Sequence, residues 1–560
     1  MTNTPLHPAV VRLLEKRGLT GVEATEFLSW NLKDIPDLTK MLDMDKAAHR
    51  LVQAIEKNEI IGIYGDYDVD GATSCALFFH FFKMLGHEVK VFQPSRFVEG
   101  YGIHPVSIDN ALAENVTVLV SVDCGISNTE TADYANTKGL DLIITDHHRD
   151  AAAHIPHAFA VVNPNRRDEA KDSPLGALAG VGVAFAVAVK IREILLAGGR
   201  EVPSIYNLLP FVAIGTICDL AVLTPLNLKL TRHGLKQIPQ SPFAGVKVFF
   251  SPEELQAGVN SEKIAFNVGP MINSKGRLEH PERSLKLLTA SDMNEAREHY
   301  THLEISNRDR RLIQADVFQS AKELALRQWT EEKVVNVVYQ PEWHEGVVGI
   351  VAAKLVEAFG VPAVVLTNAE EAGIVKGSAR TAGELNLFDA LEQCKDLFIK
   401  FGGHKAAAGM SLKKENVPAF QKRLAEVISK IPAVLRTKPE RWDVELSPEE
   451  INAGLVRDLA HLEPFGNGNE RPVFRMSGIR LASYRVLKDA HVRWSFAPLK
   501  NPTASLTGIS FNYLGKWNEP TPDEIFQRQN QSALTLQFGV SINRFNGNET
   551  IQLQVERVIL

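Results

Sequence analysis

Residues 60–71 read IIGIYGDYDVDG: an apolar run, Ile60–Tyr64, ends at a glycine and gives way to aspartates at alternate positions, Asp66, Asp68 and Asp70. A short apolar run bounded by glycine and polar residues reads as a strand buried on both faces. Downstream, Ala72–Leu85 and Thr129–Lys138 have a helical pattern, between further strand-like runs at Val89–Phe92, Val116–Val122, Leu142–Thr145 and Phe159–Val162. Such alternation predicts βαβ units and a parallel sheet, an α/β fold. Leu178–Leu196 and Ile205–Ile217 read as buried helices closing this domain, which spans 46–280 after an N-terminal helical segment, 1–45.

Beyond it the pattern changes twice. Residues 281–330 are charged and helical in period, a long solvated connecting helix. A second α/β pattern fills 331–435, with a strand (VVNVVY), a helix (Val347–Phe359) and a strand (PAVVLT). Residues 436–560 carry short alternating strands with turn residues between them, the pattern of a small β-barrel.

With 560 residues the chain exceeds what one hydrophobic core serves, so several domains are expected. Its 45% hydrophobic and 23% charged residues are ordinary globular composition, and no apolar window approaches a membrane span. The N-terminus, MTNTPLHPAVVRLLEKRG, lacks a signal-peptide pattern, and the four cysteines form no CxxC pair. A disulfide framework or structural zinc is thereby disfavoured, and a cytoplasmic location is expected. The net charge of −6 does not exclude a nucleic-acid partner, because phosphate binding depends on where charge sits.

Three polar motifs directly follow three of the predicted strands: Gly65–Gly71, then Asp123-Cys124-Gly125, then Asp146-His147-His148. Ligands of an open α/β sheet bind beyond the carboxyl ends of its strands, so the motifs should converge. Alternate aspartates in a turn can aim several carboxylates at one centre. Carboxylates so close repel one another, and a divalent cation relieves the conflict. Carboxylate with imidazole suits Mn²⁺ or Mg²⁺. Each motif alone has a plainer reading. DxDxDG could be a calcium loop, but Leu77 stands where its glutamate belongs; Asp123 could be a helix cap; the histidine pair could be surface decoration. Asp219, ending an apolar helix-like run, could be a ligand or a helix end.

These residues in this order resemble the DHH phosphoesterase superfamily and, within it, the RecJ exonucleases. The likeness runs through GDYDVDGAT (65–73), SRFVEGYG (95–102), SVDCGI (121–126), TDHH (145–148), LAGVGVAF (178–185) and GPMINSKGRL (269–278). It continues through PEWHEGVVGIVAAKL (341–355), KGSAR (376–380), KFGGHKAAAGMSL (400–412) and LEPFGNGNERPVF (462–474). The resemblance implies a DHH domain, a DHHA1 accessory domain and an oligonucleotide-binding (OB) barrel. It implies 5′ to 3′ hydrolysis of single-stranded DNA to 5′ mononucleotides, in repair and recombination, with two Mn²⁺ or Mg²⁺ ions. Asp70, Asp123, His147 and Asp219 would hold one ion, Asp68 and Asp123 the second, with Asp66 close by. His148 would touch the scissile phosphate, and Arg96, Arg277, Ser378, Arg380, Gly403 and His404 would bind substrate. Single-stranded DNA is the implied partner of a monomer, with a single-strand-binding protein and a helicase as candidate protein partners.

Three positions depart from the family pattern. Tyr64 stands where some relatives carry a histidine ligand, Met271 where arginine is common, and Lys405 adds a charge beside His404. In the barrel region, residues 471–500 contain seven Lys/Arg and one acid, interleaved with Phe474, Tyr484, Trp494 and Phe496. Basic groups with stacking aromatics suit single strands, although such aromatics can equally be core. Two rivals follow. A phosphodiesterase for short oligoribonucleotides or cyclic dinucleotides would need no barrel, and a non-catalytic DNA-binding scaffold would have lost ligands.

Overall fold

The computed structural model of the chain describes all residues except 1–4, 95–101, 151, 153, 279–281, 331, 438–439, 517–518, 530–532 and 546–547, and the side chains at 275–278, 282, 544–545 and 548. It divides into two compact units. One comprises Thr20–Arg308 with Leu462–Arg471; the other comprises Met1–Leu19, Asp309–His461 and Pro472–Leu560.

The first unit is built on five strands, β1 (Ile61–Gly65), β2 (Val89–Phe92), β3 (Val118–Val122), β4 (Asp141–Thr145) and β5 (Ala160–Val162), in the order β2-β1-β3-β4-β5. All neighbours are parallel. Every residue of β1 and β3 is buried because helices cover both faces. Ile61, Ile63, Val118, Val120 and Val122 pack with the helices Met44–Glu56, Val69–Met84, Gly180–Ala197 and Leu209–Cys218. Their alternates Tyr64, Leu119, Leu142 and Ile144 pack with Pro105–Ala113 and Thr129–Lys138, the period of two that a pleated strand imposes. Register sets the next step. Gly65 pairs with Val122, Val122 with Thr145, and Thr145 with Val162. The residues that follow, Asp66, Asp123, Asp146 and Asn163, therefore leave the sheet at one level.

The expected connecting helix is in fact two, Glu282–Leu288 and the 35-residue Met293–Arg327. Nor is the long one simply solvated. Ala296 and Leu303 are buried in the first unit, and Val317, Ala321 and Ala325 in the second. Small apolar residues hidden within a charged sequence keep its mean pattern polar while one stripe packs.

In the second unit, β6 (Asn336–Tyr339), β7 (Ala363–Asn368), β8 (Ile374–Arg380), β9 (Phe398–Gly403) and β10 (Ala407–Lys413) form a sheet of order β6-β7-β8-β10-β9. Its first pair is parallel and the rest antiparallel. The last sheet contains β11 (Val444–Glu445), β12 (Phe474–Leu487), β13 (His491–Pro498), β14 (Leu506–Ser510), β15 (Leu534–Phe545) and β16 (Asn548–Ile559). Its order, β11-β12-β13-β14-β16-β15, closes through an added β12–β15 pairing. Five strands thus form a ring, the barrel expected from the alternating pattern.

Candidate metal centre

The helix Val69–Met84 begins inside the aspartate motif, not after it. Asp68 is its N-cap, with Oδ1 accepting from the Gly71 N–H at 3.0 Å, and Asp70 lies in its first turn. The motif is therefore a strand end and helix start, which turns Asp70 inward. Its Oδ2 accepts from the Gly180 N–H at 2.6 Å and its Oδ1 from the Val181 N–H at 2.9 Å. Both donors open the helix Gly180–Ala197, whose N-terminus favours negative charge. Gly180 leaves no room for a side chain, since a Cβ there would lie 2.7 Å from Asp123 Cβ. Asp123 adopts φ +58°, a left-handed conformation that aspartate tolerates better than most residues.

Asp66, Asp68 and Asp123 bring carboxylate oxygens within 4.8 Å of one another, as do the ligand atoms of Asp70, His147 and Asp219, and those of Asp123, His147 and His148. His147 is the hub. Its Nε2 lies 3.1 Å from Asp123 Oδ1, 3.8 Å from Asp70 Oδ2 and 3.9 Å from Asp219 Oδ2. That nitrogen is buried and makes no hydrogen bond, while the ring is hydrogen-bonded to the backbone of Leu178. Burial, with the charge of His148, pushes the His147 imidazole down to about 4, so it is neutral at pH 7. A neutral ring committed to a backbone carbonyl on one nitrogen offers a lone pair from the other, which is how imidazole ligates metals.

Burial and mutual repulsion dominate the carboxylates. Asp70 and Asp123 are held well above the usual range, by burial first and then by neighbouring aspartates. Asp219 is pushed up to about 7 by burial and by Asp68. His148 behaves oppositely. Although burial disfavours its charge, the Asp146 hydrogen bond and nearby carboxylates raise it to about 9.

Asp146 had no separate role in the sequence reading. Its buried carboxylate accepts from Ile126 N at 3.0 Å, His147 N at 2.7 Å and His148 N at 3.1 Å, and pairs with His148 Nδ1 at 2.8 Å. Two asparagines after β5 complete the clamp. Asn163 Nδ2 donates to His148 O at 2.9 Å, and Asn165 Nδ2 to His147 O at 2.7 Å. The signal was present in NPN directly after a strand, level with the other motifs.

Ser378 and Arg380 lie on β8, where Arg380 Nη1 donates to Ser378 Oγ at 2.7 Å. Ala407 pairs with Arg380 in the sheet, and Ala408 with both Ala379 and Gly403, so Gly403 and His404 join them at one end. Gly403 has φ +155°, and a Cβ there would lie 2.4 Å from Ala407 O. Arg96 lies outside the described residues, as does the Arg277 side chain.

Each departure acquires a place. Tyr64 packs in the core and donates its hydroxyl to Gly102 O at 3.0 Å. Met271 is buried in the first unit's core, where a guanidinium would be desolvated. Lys405 pairs with Glu384. In the barrel, three of the four interleaved aromatics, Phe474, Trp494 and Phe496, are core rather than stacking surface, and Tyr484 bonds Asp523. Strand alternation buried them while leaving Arg480, Arg485, Lys488, Arg493 and Lys500 exposed. Phe511, edge-on to His491, is exposed instead, as is Phe526. Among the described residues, no helix is long and apolar enough to cross a membrane.

Three family models match the chain: the DHH family N-terminal domain over residues 59–216, the DHHA1 domain over 331–430 and the RecJ OB domain over 442–557. The single-stranded-DNA-specific exonuclease RecJ of Bacillus subtilis is 34% identical over 98% of this chain and 67% of its own length. That of Escherichia coli is 31% identical over 99% of this chain and 96% of its own. Among solved structures, RecJ in complex with Mn²⁺ from Thermus thermophilus aligns with a TM-score of 0.78 and 26% identity, covering 99% of this chain and 76% of that one. Exonuclease RecJ bound to manganese aligns with a TM-score of 0.59 and 30% identity, over 72% of this chain and 98% of that one. With the carboxylate–histidine cluster at the sheet's carboxyl edge, a DHHA1 sheet and a closed barrel in one chain, the protein belongs to the RecJ family of single-stranded-DNA-specific exonucleases.

Proposed function

We propose that this chain hydrolyses single-stranded DNA from the 5′ end, releasing 5′ mononucleotides, and that Asp68, Asp70, Asp123, His147 and Asp219, with Asp66 close by, hold two divalent cations, Mn²⁺ or Mg²⁺. The observation that carries the reading is the His147 nitrogen facing three carboxylates at 3.1–3.9 Å. So many acids around a neutral imidazole are compatible with full ionisation only when cations lie among them.

Asp70, Asp123, His147 and Asp219 form one ligand set; Asp68 and Asp123 form the other, with Asp66 beside it and Asp123 shared. Cations held there would supply an activated water and neutralisation of the charge growing on the phosphate. The protein's own groups do the rest. His148, aimed by Asp146, contacts the scissile phosphate and stabilises its developing charge. The Asp146–Asn163–Asn165 clamp fixes both histidines. Ser378, Arg380 and the Gly403-His404 turn hold the terminal 5′ phosphate, through a guanidinium fork and close backbone approach. The exposed Arg480, Arg485 and Arg493 of the barrel track the strand. The barrel also separates this reading from hydrolysis of cyclic dinucleotides, which need no extended binding track. The four cysteines are free thiols, in keeping with a reducing cytoplasm.

End-labelled single- and double-stranded DNA, incubated with Mn²⁺ or with EDTA, tests the proposal. The expected result is metal-dependent release of mononucleotides from the 5′ end of the single strand alone. Release from the 3′ end, or equal digestion of both forms, would refute it.

A further inference from the structure

Asp219 is the C-cap of the helix Leu209–Cys218, and the chain turns immediately after it. Leu220 takes φ +59°, a left-handed conformation unfavourable for leucine. Packing holds only part of this turn: Leu223 is buried and Ala221 packs on the core, but Leu220 is 65% and Val222 46% exposed. Local bonds hold part of it, Ala221 N–H donating to Thr216 O at 3.2 Å and Asn227 Nδ2 to Val222 O at 2.8 Å, and a segment distant in sequence adds two more. Asn467 Nδ2 donates to Leu220 O at 2.7 Å, and Asn467 O accepts from Leu223 N at 2.8 Å. One residue thus bonds both ends of the turn.

Its neighbours permit the approach. A Cβ on Gly466 would lie 2.9 Å from Leu223 Cδ1, and one on Gly468 2.7 Å from Val222 Cγ1. The Gly-Asn-Gly segment lies flat on residues 220–223 because the residues flanking Asn467 have no side chains. The strap that carries it, Leu462–Arg471, is itself pinned. Arg232 Nε donates to Glu463 O at 2.7 Å, Ser261 Oγ to Phe465 O at 2.9 Å, and Arg471 pairs with Glu262 at 2.7 Å. Asn469 Nδ2 staples the strap internally, donating to Leu462 O and Pro464 O at 2.8 Å each.

We propose that Asn467 is a positioning residue for the metal centre: by fixing the Leu220 turn it aims the Asp219 carboxylate at the cation shared with Asp70 and His147. The proposal rests on the reading of Asp219 as a metal ligand. It goes further in assigning part of the centre's assembly to a strap whose two ends continue into the other unit, three residues before β12 begins. The barrel strand and a metal ligand are then coupled through one stretch of covalent chain.

The test uses the full-length protein and Mn²⁺, with free ion followed by electron paramagnetic resonance during titration. Asn467→Ala removes the donor; Asn467→Asp keeps the size and sets a carboxylate against Leu220 O. Both should raise the half-saturating Mn²⁺ of one class of site, by about two- to ten-fold for a lost hydrogen bond, and Asp more than Ala. The unfolding temperature in EDTA should not change. At limiting Mn²⁺ kcat should fall with KM for the strand unchanged, and added Mn²⁺ should restore it. An unaltered Mn²⁺ isotherm would overturn the proposal. So would a loss of stability in EDTA by both variants, which would make the strap a brace of the fold. Asp219→Asn separates the two readings. If it binds Mn²⁺ like the native protein, the ligand assignment fails; if it loses a site while the Asn467 variants do not, only the strap inference fails.

Discussion

Gly180→Ala and Gly182→Ala, two residues apart on one helix, should behave differently. A Cβ on Gly180 would lie 2.7 Å from Asp123 Cβ, 2.9 Å from its Oδ1 and 3.0 Å from its Cα. Carbon atoms in contact sit at about 3.5–4.0 Å, so the two backbones must part by roughly 0.8 Å or more. No rotamer change relieves this, because Cα and Cβ are the obstacles. The Gly180 N–H that holds Asp70 Oδ2 at 2.6 Å moves with the helix, so two carboxylates shift together. A Cβ on Gly182 would instead meet Leu178 Cδ2 at 2.9 Å, the far end of a flexible side chain. Both substitutions overpack, at about 1–3 kcal/mol each. Catalytic groups tolerate only about 0.5 Å of displacement, and roughly 1 Å can cost about 10²-fold in rate. Gly180→Ala should therefore lose about 10²-fold in kcat on labelled single strands and bind Mn²⁺ more weakly. Gly182→Ala should keep kcat within a few-fold. Thermal unfolding in EDTA checks that both fold. Equal kcat values for the two variants would refute the proposed packing of Gly180 against Asp123.

Asp123→Ala should abolish hydrolysis while leaving DNA binding largely intact, since it removes the shared ligand and relieves carboxylate repulsion; residual activity of more than a few per cent would contradict two-ion catalysis. In EDTA the same variant should unfold no earlier than the native protein, whereas with Mn²⁺ it should fall behind, which calorimetry in both buffers would show. Arg380→Ala should reduce cleavage of 5′-phosphorylated ends by about 10- to 150-fold, the worth of a charge-assisted contact of roughly 1.5–3 kcal/mol. Equal loss on 5′-hydroxyl ends would argue against a terminal-phosphate pocket. Replacing Arg485 and Arg493 together by serine should flatten the salt dependence of binding to long single strands, by about 0.7 in log–log slope per lost phosphate contact. An unchanged slope would remove this face from the binding track.

The parallel sheet was legible because its central strands β1 and β3 are buried on both faces and so read as apolar runs. The converging motifs were legible because each follows such a run directly. Period alone could not show that the helix starts at Val69, within the aspartates, because a cap residue and a ligand are both written Asp. Nor could it show Asp146 as a clamp, since that role depends on backbone N–H groups at Ile126, His147 and His148 that appear only once the loops are folded. Aromatics in an alternating strand divide between core and surface by parity. Bulges in β12, one between Ser477 and Ile479 and one between Leu481 and Ser483, disturb that parity. The strap was the least legible of all, because LEPFGNGNERP carries no hydrophobic period and bonds residues more than two hundred positions away.

The level exit of β1, β3 and β4 bears on how such a chain can vary over generations. Changes of length in the connections at the opposite edge of the sheet, where the helices return, leave the strand ends where they are. A single residue lost inside β1, β3 or β4 would do two things at once: withdraw an acidic group by about 3.3 Å and exchange the strand's two faces. Insertions and deletions should therefore accumulate behind the sheet and be purged from the strands. Accordingly, a library with randomised loop lengths at that rear edge should yield many active members, and one that shortens strands almost none.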